Sequence, residues 1–129
     1  MIDHVSIRVS NLEKSISFYQ AALAPLGYKR LNGDFGGAIA FATNDSDKTY
    51  GTVWLIAQGP SEPLTQNIHI GFVAKDIEMV NSFYDAAMKA GAVNNGRPGI
   101  CPEYSNDYYG GFVLDPDGNN VEAKVITKE

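Results

Sequence analysis

Ser17-Phe18-Tyr19-Gln20-Ala21-Ala22 returns sixty-five residues later as Ser82-Phe83-Tyr84-Asp85-Ala86-Ala87, and this repetition decides how the chain is read. The only two histidines, His4 and His69, stand at the same offset. A strand-like stretch thus precedes a helix-like stretch twice, with a histidine at the equivalent place in each. A fixed-period repeat redefines the fold problem, because each copy is a unit that buries its apolar face against its neighbour. Repeat units of about 1–58 and 67–129 are expected to pack as one domain over 1–129.

Each unit reads as strand, helix, then about three strands. Val5, Ile7 and Val9 alternate with His4, Ser6 and Arg8, the period of two of a half-buried strand. Ser10 or Asn11 caps a helix to about Leu23, with Leu12, Ile16, Tyr19 and Leu23 inward, and Pro25 and Gly27 end it. Strands are expected over Tyr28–Leu31, Ala38–Ala42 and Thr52–Ala57, between turns at Asn32–Gly37 and Asn44–Lys48. Gln58–Gln66 links the units. In the second, Ile68, Ile70 and Phe72 share one face, and Asp76 caps a helix with Ile77, Val80, Tyr84 and Met88 inward. The Gly/Pro/Asn-rich stretch from Asn94 to Tyr109 reads as a long loop. Asp115-Pro116-Asp117-Gly118 suits a type I turn joining Gly111–Leu114 to Asn120–Val125 as a hairpin. Two helices and several strands in this order indicate an α+β fold of two tandem βαβββ units.

Composition narrows the function. A hydrophobic fraction of 44% and a charged fraction of 19% are those of an ordinary globular protein. A net charge of −5 without Lys/Arg clusters argues against nucleic acid as a partner, and no apolar run is long enough for a membrane span. Asp3, His4, Arg8, Glu13 and Lys14 leave no apolar signal core near Met1, and Cys101 is the only cysteine; both suit a cytoplasmic protein acting on a small molecule.

Strand parity turns His4 and His69 away from the aliphatic faces, and it turns Glu122 away from Val121, Ala123 and Val125. Two imidazoles and a carboxylate are a ligand set for a divalent metal. The alternative for each histidine is a hydrogen-bonded structural role, which duplication would repeat as readily. Arg8 and Lys124 share the face of His4 and Glu122; they read either as an anion clamp for substrate or as members of internal ion pairs. Trp54 reads as an apolar wall of the cleft. Tyr104, Tyr108 and Tyr109 flank the last hairpin, where Tyr108 or Tyr109 would serve as a catalytic phenol and Tyr104 as a substrate contact.

The segments His4–Val9 with Ser17–Tyr28, His69–Ile77 with Ser82–Gly91, and Gly111–Ala123 with its Asp-Pro-Asp-Gly-Asn ending resemble the vicinal oxygen chelate superfamily. That superfamily includes glyoxalase I, extradiol dioxygenases, and fosfomycin- and bleomycin-resistance proteins. The resemblance spans essentially the whole chain. It implies two βαβββ units around an open barrel-like cleft, usually a homodimer, with His4, His69 and Glu122 at the metal positions. It implies a metal-dependent lyase, dioxygenase or transferase using Fe(II), Mn(II), Zn(II) or Ni(II). The rivals are a metal-free protein that sequesters a small molecule and a scaffold whose trough only mediates dimerisation. Glyoxalase I has a further glutamate where Trp54 stands here, so typical glyoxalase I activity is not expected.

Overall fold

A computed structural model describes residues 1–33, 35–43 and 52–128. The first unit contains β1 (Val5–Val9), α1 (Leu12–Leu23), a 3₁₀ turn (Ala24–Leu26), β2 (Tyr28–Arg30), β3 (Ile39–Thr43) and β4 (Val53–Ala57). The second contains β5 (His69–Val73), α2 (Ile77–Lys89), β6 (Val93–Ile100), β7 (Tyr108–Leu114) and β8 (Asn120–Ile126). The two sheets have the same strand order, β1-β4-β3-β2 and β5-β8-β7-β6. In each, the first and last strands of the unit run parallel and the other pairs antiparallel. The duplication read from the repeat is therefore a duplication of topology. The expected turn at Asn44–Lys48 lies outside the described residues.

Local chemistry sets the helix ends. Asn11 accepts a hydrogen bond from the Lys14 amide at 3.0 Å and Asp76 from the Met79 amide at 2.8 Å, each satisfying a donor of the first turn. Gly27, at φ +88°, takes the left-handed conformation that stops the first helical segment after Pro25.

The expected stripes turn inward in large part: Tyr19, Leu23 and Val80 are buried and Leu12, Ile16 and Tyr84 pack against the core, whereas Ile77 and Met88 are exposed. In α1 the buried residues are Ser15, Phe18, Tyr19, Ala22 and Leu23, while Leu12 and Ile16 are only partly covered. In α2 they are Val80, Phe83 and Ala87, and Ile77 and Met88 are exposed. The inward positions are those of the repeat itself: Phe18 matches Phe83 and Ala22 matches Ala87. Small alanines let α1 and α2 approach each other, so both helices and both sheets share one apolar cluster.

The long loop expected from Asn94 to Tyr109 is also corrected. Residues Val93–Ile100 form β6, paired with β7 through two register shifts around Gly96. Gly96 sits at φ +146°, and a Cβ there would lie 3.0 Å from the Phe112 ring. Irregular pairing hides the alternation by which a strand is recognised in sequence.

A polar clamp joins the units at the Asp115–Gly118 turn. The buried Tyr19 hydroxyl donates to Asp115 Oδ2 at 2.6 Å. Asp115 Oδ1 also accepts the Asp117 and Asn119 amides, both at 2.9 Å. Asp117 accepts the Ser10 amide at 3.1 Å and its hydroxyl. Asn119 receives the Ile68 amide and donates to the Thr65 carbonyl. Thr65 in turn lies along β1, accepting the Arg8 amide at 2.9 Å and donating to the Arg8 carbonyl at 3.1 Å. The turn motif thus binds the start of α1 and the linker to the second sheet.

Candidate functional site

Two consecutive pairings in the second sheet build the site. β5 pairs with β8 so that His69 lies opposite Asn120 and Gly71 opposite Glu122; β7 places Phe112 opposite Glu122. His69, Gly71, Glu122 and Phe112 consequently share the sheet face turned away from α2. Glu122 is only 2% exposed, yet both its oxygens are satisfied. The His69 imidazole donates through Nε2 to Oε1 at 2.6 Å, and the Tyr108 hydroxyl donates to Oε2. A buried carboxylate without such partners would be strongly disfavoured.

Glycines make room for this carboxylate. A Cβ on Gly110 would lie 3.1 Å from Glu122 Oε2 and 3.2 Å from Tyr108 Cε1, while one on Gly71 would stand 3.5 Å from Oε1. Burial, then the hydrogen bond from its hydroxyl to Glu122 and the charge there, holds the Tyr108 phenol well above the ordinary phenol range. The Lys124 ammonium lies 5.1 Å from the centre of the Tyr108 ring, and Tyr104 packs on that ring at 4.9 Å.

His4 and His69 line one cavity of about 570 Å³, with Val5 and Tyr28 from the first unit and Ile70 and Phe72 from the second. His4 lies just ahead of β1 and bonds Asp3 through Nδ1 at 2.8 Å. Imidazole nitrogen and carboxylate oxygen suit a divalent ion in kind. Two such donors, His69 and Glu122, are already together. Among the described residues, no three His, Cys, Asp or Glu side chains gather into a set able to hold an ion. His4 lines the same cavity as His69, yet its ring is bonded to Asp3 and does not gather with His69 and Glu122.

The other expected residues divide between the two faces. Arg8 pairs with Glu62 of the linker at 2.7 Å, the ion-pair alternative, although with a different partner from Glu122. Lys124 makes its contact with Tyr108. Trp54 packs edge-on against Phe35 at 5.0 Å, closing over the first sheet. Its register matters: Trp54 faces Ser6 as Glu122 faces Gly71, so it occupies the position in the first unit that Glu122 holds in the second. Tyr109 points the other way, packing on the core and donating to Asn81 of α2 at 2.7 Å. Of the two tyrosines expected to act as phenols, only Tyr108 reaches Glu122. Sequence reading passed over Gly71 and Asn120, which strand parity with His69 and Glu122 places on this face, and over Phe112 and Gly110, which the pairing of β7 with β8 brings there.

A family model described as Glyoxalase/Bleomycin resistance protein/Dioxygenase superfamily matches residues 1–123. Among solved structures, a glyoxalase/bleomycin resistance protein from Albidiferax ferrireducens is 25% identical, with a TM-score of 0.80 over 95% of this chain and 97% of that one. A glyoxalase/bleomycin resistance protein/dioxygenase family enzyme from Burkholderia phytofirmans shares the fold at 18% identity, with a TM-score of 0.70 over 97% and 98% of the two chains. Among curated proteins none matches in sequence.

Proposed function

The chain belongs to the Glyoxalase/Bleomycin resistance protein/Dioxygenase superfamily, and within it we propose a divalent-metal-dependent enzyme acting on a small molecule with two neighbouring oxygens. The observation that supports this most is the buried Glu122 joined to His69 beside a cavity that His4 also lines. His69, Glu122 and an inward-turned His4 would hold the ion. When bound, the ion supplies a Lewis acid that polarises the substrate's oxygens. Fe(II), Mn(II), Zn(II) and Ni(II) all accept such ligands.

The surrounding side chains define what the protein itself contributes. Tyr108 keeps its proton at neutral pH and so acts as a donor toward Glu122 or a substrate oxygen. Tyr104 extends the aromatic wall beside it. Trp54 carries no lone pair able to accept a proton, so the first unit supplies no base at the position equivalent to Glu122. Typical glyoxalase I turnover is therefore expected to be weak or absent.

Acetohydroxamate, a ligand with two neighbouring oxygens, tests the reading by calorimetry with and without added Mn(II). Binding that requires Mn(II) and is lost in His69→Ala is the expected result. Equal binding without metal would replace the enzyme reading with that of a metal-free sequestering protein.

A further inference from the structure

The cavity that His4 and His69 line continues into the seam between the two units. Among the described residues β5 is an edge strand, paired only with β8, and the cavity wraps round its open side. His69 reaches it from the face turned away from α2, and Ile70 and Phe72 reach it from the opposite face. Val5 and Val53 meet them from the first unit. Val53 and Phe72 belong to the buried core, and Val5 and Ile70 pack against it, so this end of the cavity is apolar. Tyr28 stands edge-on to Phe72, with 5.5 Å between ring centres, and burial raises its phenol above the ordinary pKa.

Charge is what the lining lacks. Among the described residues no Lys, Arg, Asp or Glu side chain lines the cavity; beside the two imidazoles, its polar side chains are the Tyr28 and Thr52 hydroxyls. An ionic group brought here would give up its water with no opposite charge to meet it, a strongly unfavourable exchange. An apolar chain would instead trade water for the Val5, Val53, Ile70 and Phe72 side chains. The volume of about 570 Å³ lies within the usual range of small-molecule sites, about 300–1,000 Å³. We propose that this cavity takes an uncharged, apolar arm of the substrate, several carbons long, with the polar head at His69 and the tail among those four side chains. The inference rests on the proposed function only in placing the substrate's reacting oxygens at the histidine end.

Straight-chain alcohols test this without metal, by nuclear magnetic resonance of ¹⁵N-labelled protein kept in chelator. Ethanol, 1-butanol and 1-hexanol should shift the Ile70 and Phe72 amides, with affinity rising about fourfold for each added methylene group. 6-Hydroxyhexanoate, which ends the same six-carbon chain in a carboxylate, should bind no tighter than ethanol. Val5→Thr, close in shape but polar, should weaken hexanol more than ethanol. Should that variant fail to fold, Ile70→Thr asks the same question from the second unit. A flat series, equal affinity for hexanol and 6-hydroxyhexanoate, or an undiminished rise in a folded variant would overturn the proposal. Because the alcohols need no metal, their rising affinity beside acetohydroxamate binding that ignores Mn(II) would sink the metal reading alone.

Discussion

Tyr19 is fully removed from solvent, with its hydroxyl committed to Asp115 across the two units. Burial, then the charge of Asp115, raises its pKa well above the ordinary phenol value. The unfolded phenol ionises near pH 10, so the unfolded chain loses this proton first. The stability that Tyr19 contributes is thus complete below about pH 10 and declines as pH rises above it. Tyr28 and Tyr108 act in the same direction. Tyr19→Phe should lower stability by about 1–3 kcal/mol at neutral pH and flatten the alkaline loss, measured by urea unfolding at several pH values. Glycines set a second residue-level contrast. Gly110→Ala should disturb Glu122 and Tyr108 and reduce metal bound per chain, because its Cβ falls 3.1 Å from a carboxylate oxygen. Gly71→Ala, at 3.5 Å, should keep wild-type metal content.

Among the elements, the helices show where sequence reading succeeds and where it stops. Caps at Asn11 and Asp76, and the stop at Gly27, were legible because each depends on one side chain or one backbone conformation. The inward faces were less so, since Phe18, Phe83, Ala22 and Ala87 are chosen by how α1 and α2 meet, which no single-helix periodicity contains. Phe83→Ala should therefore cost about 3–5 kcal/mol in denaturant unfolding. Met88→Ala, at an exposed position, should cost less than about 1 kcal/mol. β6 was unreadable for a different reason: its glycines and asparagines follow the bulged pairing with β7, not an apolar alternation. Glu122 and His69 were legible as facing residues by parity, whereas the hydroxyl of Tyr108 on Glu122 depends on pairing between β7 and β8.

For the whole molecule, the duplicated topology leaves β5 at a sheet edge and apolar side chains such as Val73, Ile100 and Ile126 in solvent. We propose that two copies pair over such surface. The formal charge of −5 opposes pairing weakly, because physiological salt screens beyond about 8 Å. Light scattering should give a mass near twice the 14.0 kDa of one chain, and the mass of a single chain would reject the dimer. Among the described residues no helix is long and apolar enough to cross a membrane. We propose that histidines from both units and one carboxylate hold a metal, and elemental analysis of protein purified without chelator measures this. About one divalent ion per wild-type chain is predicted, with its loss in His69→Ala and in His4→Ala. Absence of stoichiometric metal, or an unchanged amount in both variants, would contradict a metal held by these three residues.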